Sequence, residues 1–274
     1  MAEAWHPDWL IPDWPAPAGV RSVFTSRAGG VSVAPYDSMN LGDHVGDLPE
    51  HVAANRALLQ RATGTHAVFL RQVHGHEVLA LSETTPDGQP ADACVTTQRR
   101  LACTVMVADC LPVLLTTEDG RVVAAAHAGW RGLAGSGGSG GHDVLQSVYG
   151  SFVALAQAEQ VQVAIKTIAW LGPCIGPSAF EVGVEVKTAF ESALPGAGRL
   201  FEEIGAGKYL ANLPALARLR FQAMGITQVY GNDGSAPWCT VSNPSRFFSH
   251  RRDAGVNGNG FGTTGRMAAC IWRE

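Results

Sequence analysis

Three short motifs hold the residues of this chain best suited to chemistry: Gln72-Val73-His74-Gly75, Ala108-Asp109-Cys110-Leu111-Pro112 and His127-Ala128-Gly129-Trp130-Arg131-Gly132. Each sets a soft or borderline metal ligand at the end of a predicted strand, beside residues that bend or free the backbone. His74, Cys110 and His127 are 36 and 17 positions apart. Those gaps are too long for a local zinc knuckle but natural for neighbouring strand ends in one sheet. Two imidazoles and a thiolate suit Zn²⁺, with copper as the alternative ion. Three protein ligands leave a fourth position open, which is the catalytic arrangement. Taken singly, a histidine or cysteine at a strand end is more often a packing or capping residue. A second chemistry is open to the same residues: Cys110 as a nucleophile with His127 as its base, without metal.

Such ligands need strands to carry them. Val20 to Thr25 reads as a strand, and Leu48 to Ala62 as a helix with Pro49 at its start and Gly64 as its stop. Between Ala67 and Ala126 come β-type runs, AVFLRQV, HEVLAL, DACVT, LACTVMV, LPVLL and RVVAAA, separated by turn signals such as Pro86-Asp87-Gly88. Asp143 can cap a helix that puts Leu145, Val148, Phe152 and Leu155 on one face. The run VAIKTIAWL reads as a strand and Phe180 to Leu194 as a helix ended by Pro195. A further helix starts near Asn212-Leu213-Pro214 and stops before Gly225, with strands ITQVY and MAACIW after it. Hairpins mixed with helical crossovers predict an α/β fold (α+β mixed): mixed sheets covered by helices in a single domain spanning residues 1–274. Gly135 to Gly141 (GSGGSGG) reads as a mobile surface loop, with a lid as the alternative.

Hydrophobic residues make up 46% of the 274 and charged residues 16%, which excludes a disordered chain. The net charge is −4 and no basic run exceeds two residues, so the footprint that nucleic-acid binding rests on is missing. No stretch is apolar enough to span a bilayer, and MAEAWHPDWLIPDWP does not read as a signal peptide, so a cytoplasmic protein is expected. Six scattered cysteines with no C-x-x-C pair predict reduced thiols. Two apparent nucleotide motifs fail on context. Gly260 to Gly265 fits G-x-G-x-x-G in letters, but only nine residues follow it. Gly205 to Lys208 (GAGK) has Glu202 where a Walker glycine belongs and Tyr209 where Ser or Thr should follow.

A longer series runs through the chain in order: TSRAGGVS from Thr25, Asn40-Leu41-Gly42, the three motifs above, Gly172-Pro173-Cys174-Ile175-Gly176, Phe180-Glu181-Val182-Gly183, Cys239-Thr240, and Phe247-Phe248-Ser249-His250-Arg251-Arg252. This series resembles the YfiH or laccase-domain family, named multicopper polyphenol oxidase in older usage and now read as purine nucleoside phosphorylase. The resemblance implies an α/β/β/α layered fold and a zinc ion held by His74, Cys110 and His127. It implies phosphorolysis of adenosine, inosine, guanosine and methylthioadenosine, together with adenosine deamination. Purine nucleosides and phosphate are then the expected partners. Two departures from the family pattern, GSGGSGG after HAGWRG and Ala211-Asn212-Leu213 in place of an Asp-Leu, bear on the shape of the pocket.

Phosphorolysis passes through an oxocarbenium-like state, so phosphate must be held beneath the anomeric carbon while charge growing on the purine is stabilised. Arg27, Arg131, Arg251 and Arg252 are the phosphate candidates, because guanidinium forks match phosphate oxygens; for each, a solvated or structural ion pair is the plainer role. Deamination needs a proton carrier, and Asp109 is the candidate, with orientation of a histidine as its other role. Gln72 and Asn40 are candidates to hydrogen-bond base or ribose. Cys174 is either a pocket residue or a buried structural thiol, and His76 a spare ligand or a solvent-facing residue. A true multicopper oxidase would need roughly ten histidines in several H-x-H pairs. This chain has nine, with one such pair, His74-Gly75-His76. The remaining rivals are a single copper centre, a Cys-His hydrolase or peptidoglycan-editing factor, and a non-enzymatic binding module.

Overall fold

The structure, a computed structural model, describes residues 5–135, 142–159, 166–253 and 263–274. Two mixed sheets lie face to face. The first has the order β1 (Val20–Phe24), β13 (Met267–Arg273), β5 (Leu101–Val107), β2 (His66–Phe69). The second has the order β12 (Gln228–Gly231), β8 (Thr167–Leu171), β6 (Leu111–Thr117), β7 (Val123–Ala128), β4 (Ala93–Thr96), β3 (Val78–Ala80). Among the described strands, β2 pairs parallel with β5, β12 with β8 and β3 with β4. β5, β6 and β4 are buried along their whole length, as strands covered on both faces must be.

Apolar side chains fill three layers. Phe24, Val105, Cys103, Ile271, Leu114, Val123, Ala125 and Trp170 interleave between the two sheets. On the outer face of the first sheet, Leu59 and Ala62 of α1 (Pro49–Thr63) pack on Val23, Phe69, Ala102 and Ala268. On the outer face of the second, Leu145, Val148 and Phe152 of α3 (Val144–Ala158) pack on Val95, Val113 and Ala124. The order is therefore helix, sheet, sheet, helix. α1 begins after Leu48 and closes at Gly64 in the left-handed conformation (φ 67°), as its Pro and Gly signals predict. Asp143 caps α3 with a full capping box: its carboxylate accepts from Leu145 and Gln146 N–H, and the Gln146 side chain accepts from Asp143 N–H.

One predicted helix is corrected. Phe180 to Leu194 splits into β9 (Glu181–Gly183) and α4 (Val184–Ala193), because Glu181 to Gly183 pairs antiparallel with β11 (Lys208–Ala211). β11 in turn pairs with β10 (Phe201–Gly205), giving a third, antiparallel sheet that periodicity alone does not announce. The GAGK segment is its hairpin loop. Ala206 (φ 52°) and Gly207 (φ 72°) are both left-handed, as a two-residue type I′ turn requires. α5 (Leu213–Ala223) starts at Asn212, whose side chain accepts from Ala215 N–H. The two short helices, α2 (Trp130–Ala134) and α6 (His250–Asp253), follow the HAG and FFS segments and border the site described next. The GSGGSGG segment beyond Gly135, residues 163–165 of the VAIKTIAWL run and residues 260–262 of the G-x-G-x-x-G match lie outside the described residues.

Candidate metal centre and its cavity

Cys110 stands in the turn between β5 and β6, His127 near the end of β7, and His74 in the loop after β2. Because β6 pairs with β7 in the register Leu111 to Ala128, the two chain segments deliver Cys110 and His127 to the same edge. The ligand atoms of His74, Cys110 and His127 all lie within 4.8 Å of one another, and His74 Nε2 is 3.9 Å from Cys110 Sγ. The two imidazoles meet edge to face with centroids 4.8 Å apart. Gly129 makes room for them: a Cβ there would lie 3.0 Å from His74 Cδ2 and 3.1 Å from Cys110 Sγ. Gly132 serves the same end, since its Cβ would lie 2.6 Å from the Gly75 carbonyl oxygen.

One carboxylate ties the arrangement together. Asp92 is fully buried, directly ahead of β4. It accepts from three successive backbone N–H groups, those of Val73 (3.1 Å), His74 (2.9 Å) and Gly75 (2.7 Å). His74 takes a left-handed φ of 59°, which turns these donors inward as an anion nest. Asp92 Oδ1 also lies 2.8 Å from His127 Nδ1, which leaves Nε2 of that ring for the cluster. This carboxylate–histidine pairing is the support that metal-ligating imidazoles ordinarily have. Burial works against the Asp92 charge, but the His127 hydrogen bond and the nest outweigh it and hold the carboxyl below its usual range.

Burial alone would raise the Cys110 thiol; the charge and hydrogen bond of His127, with help from His74, outweigh it and bring the thiol down to about 6. Burial likewise opposes an imidazolium at His127, but the Cys110 charge and the Asp92 hydrogen bond lift that ring to about 9. Without a metal the pair is thus a thiolate beside an imidazolium. The thiolate, two imidazoles and a supporting carboxylate fit a borderline cation such as Zn²⁺ in donor type, number and spacing.

The cluster opens on a cavity of about 400 Å³ lined on its apolar side by Met106, Val107, Trp130, Ile175, Phe180 and Leu213. Arg251, Arg266, His44 and His250 add basic groups to the wall. Burial lowers the Arg266 guanidinium, with Cys110 and Asp109 opposing that shift, and burial next to Arg266 lowers His44.

Among the sequence candidates, Asp109, Gln72 and Arg251 join the three ligands on the cavity wall. Gln72 exchanges two hydrogen bonds with the Met106 backbone, at 2.7 and 2.8 Å, so one donor and one acceptor site of its amide hold β5's end. The others fall outside the lining. Arg27 bonds to the Asp37 and Pro244 carbonyls and covers Phe248. Arg131 is exposed and lies over Trp130. Arg252 is held by Asp253 and the Thr240 and Phe247 carbonyls. Asn40 is buried and accepts from Gly42 and Arg266 N–H, which places Arg266 rather than facing a ligand itself. Cys174 is a buried thiol, pushed up by burial, that accepts from Asn232. His76 is half-buried beside Glu77. Sequence reasoning missed Asp92 and Arg266. A lone acid leading into the buried run ACVT was the available signal for the first; Arg266 had none.

The model of the family described as "Multi-copper polyphenol oxidoreductase laccase" matches residues 21–274. A protein named purine nucleoside phosphorylase YfiH from Escherichia coli is 43% identical over 265 residues, 96% of this chain and 98% of that one. A purine nucleoside phosphorylase of Pseudomonas aeruginosa is 42% identical over 97% of this chain and 98% of its own. The solved structure of Neisseria meningitidis protein NMB0706 superposes with a TM-score of 0.80 at 43% identity, over 97% of this chain and 99% of that one. A match across nearly the whole length, in sequence and in fold, makes this chain a member of the multi-copper polyphenol oxidoreductase laccase family.

Proposed function

We propose that this protein is a zinc-dependent purine nucleoside phosphorylase that takes adenosine, inosine, guanosine and methylthioadenosine with inorganic phosphate, and deaminates adenosine as a second reaction. The relatives' names support the phosphorolytic reading. The observation that carries it is the His74, Cys110 and His127 cluster opening on a half-open cavity with aromatic and cationic walls. At about 400 Å³ the cavity falls within the range of small-molecule sites. Free thiols at all six cysteines fit a reducing compartment, and we place the protein in the cytoplasm. No helix among the described residues is long and apolar enough to cross a membrane.

Cys110, His74 and His127 would hold the metal, which supplies a Lewis acid to the polar end of the substrate. The chain's own residues do the rest. Trp130 and Phe180 offer flat apolar surface for a purine and keep water from the ribosyl carbon. Arg251 and Arg266 offer guanidinium donors to phosphate, and held on the wall they turn encounter with the anomeric carbon into an oriented, intramolecular event. His250 and His44 stand on the same wall, where an imidazole can lend or take a proton as charge grows on the leaving purine.

The decisive experiment is metal analysis combined with an inosine and phosphate assay. Zinc near one equivalent, with hypoxanthine release that stops on chelation and returns with zinc, is the expected result. A folded, zinc-loaded preparation that releases no base refutes the reading. One observation favours a second reading. The thiolate–imidazolium pair of Cys110 and His127 is the resting state of a cysteine hydrolase. Hydrolytic activity in metal-free protein, abolished by alkylation of Cys110, would establish it. Copper with visible absorption in the purified protein would instead support a copper centre.

A further inference from the structure

We infer that Asp109 is a positioning residue: it fastens the His250-Arg251 turn to the cavity wall beside the metal ligands and so sets the affinity for phosphate. The inference rests on the phosphorylase reading for its ligand and on the geometry for its mechanism.

Asp109 is a non-glycine residue at φ 94°, a left-handed conformation held only where surrounding contacts demand it. The contacts are all present. Its Oδ1 accepts from the Thr240 hydroxyl at 2.5 Å and its Oδ2 from the Arg251 backbone N–H at 2.6 Å, while its carbonyl oxygen accepts from Ile175 N–H at 2.9 Å. One residue thus joins the ADC, GPCIG, Cys239-Thr240 and SHRR segments. Arg251 is held at its other end as well. Its guanidinium donates to the Glu181 carbonyl at 3.0 Å and lies 5.8 Å from the Phe180 ring centre. Among the described residues no other hydrogen-bond partner takes the remaining guanidinium donors, and we assign them to an anion in the cavity that Arg251 lines. Both Asp109 oxygens are engaged. A proton taken up by Asp109 would weaken the bonds it accepts from Thr240 and Arg251, and a weaker hold on Arg251 loosens part of the wall.

Latch and proton carrier are separated by Asp109→Asn. Asparagine keeps both bonds, with its carbonyl oxygen accepting from Arg251 N–H and its amide donating to Thr240 Oγ, and it tolerates left-handed φ better than most residues. It cannot carry the proton. The measurements are steady-state kinetics with inosine and phosphate, calorimetric binding of inorganic phosphate to the zinc-loaded protein, and zinc content. For Asp109→Asn, phosphate KM, phosphate Kd and kcat should stay within about threefold of the parent. Asp109→Ala should raise phosphate KM and Kd about tenfold or more with inosine KM little changed. Thr240→Val, which spares the ligand turn, should shift phosphate affinity in the same direction by less and keep its zinc. A kcat lowered about a hundredfold or more in Asp109→Asn with phosphate binding intact would make Asp109 the proton carrier and overturn the latch. Parent-like phosphate binding in both Asp109→Ala and Thr240→Val would overturn it as well. If the parent releases no base, the phosphorylase reading fails by itself, and the calorimetric comparison still decides whether Asp109 governs anion binding.

Discussion

Asp92 shows how much one buried side chain can organise: three backbone donors from the His74 loop and the His127 ring all converge on its carboxylate. Asp92→Asn should lower zinc affinity about 10- to 100-fold, read by competition with a chromophoric chelator; parent-like affinity would show that His127 is oriented by packing alone. The charges of the cluster give a second expectation. A thiol lowered to about 6 contributes stability above its unfolded value that is lost as pH falls through about 6. An imidazole raised to about 9 contributes below its unfolded value, and that is lost as pH rises through about 9. Between the two the metal-free protein keeps a thiolate beside an imidazolium. Alkylation of Cys110 in chelated protein should therefore rise with a midpoint near 6, and zinc should suppress it; a midpoint above 8 would place the thiol in an unassisted environment. Cys110 and His127 were legible because the chemistry of their side chains is rare and the motif around each is specific. Asp92 was not, because a support acts through space: nothing in the string DACVT reveals that its acid faces a loop 18 positions earlier and a ring 35 positions later.

At the scale of elements, what brings the ligands together is register and small residues. Pairing of β6 with β7 sets Cys110 and His127 at one edge, and Gly129 lets α2 start without touching either ring or sulfur. Gly129→Ala should spread the cluster and cost about tenfold or more in zinc affinity while leaving far-UV circular dichroism unchanged. Retained affinity would show that the rings can give way by a few tenths of an ångström. The strands that carry the ligands were readable from sequence because each is a continuous apolar run bounded by turn residues. The third sheet was not. β9 is three residues long, β10 is exposed after Phe201, and β11 has two half-buried residues at its centre, so neither alternation nor burial marks them. Glu181 to Gly183 therefore merges by eye into the helical pattern that follows, although Gly183 at the start of α4 marks the boundary.

Across the whole molecule, the site is built on parts that do not depend on metal for their shape. Cys110 and His127 sit at the ends of strands whose neighbours are fully buried, His74 is held by Asp92, and α2 is braced from behind. Arg220, only 5% exposed, donates to the Leu133, Ala134 and Ala193 carbonyls and pairs with Asp143 at 3.2 Å, joining α2, α3, α4 and α5. Removing that guanidinium strands a buried carboxylate and three carbonyls, so Arg220→Met should cost about 3–5 kcal/mol in urea unfolding. Metal removal should behave differently. A ligand that binds only the folded state stabilises it by mass action, about 4 kcal/mol at a thousandfold excess over Kd. For a chain of this size that corresponds to a midpoint lowered by roughly 8–16 °C on chelation. Far-UV circular dichroism before melting should be unchanged, because Asp92 and the sheet hold His74, Cys110 and His127 in place by themselves. Loss of β-sheet signal on chelation would mean that the ion is part of the core, and that the preorganised centre argued from Asp92 and Gly129 does not exist before the metal arrives.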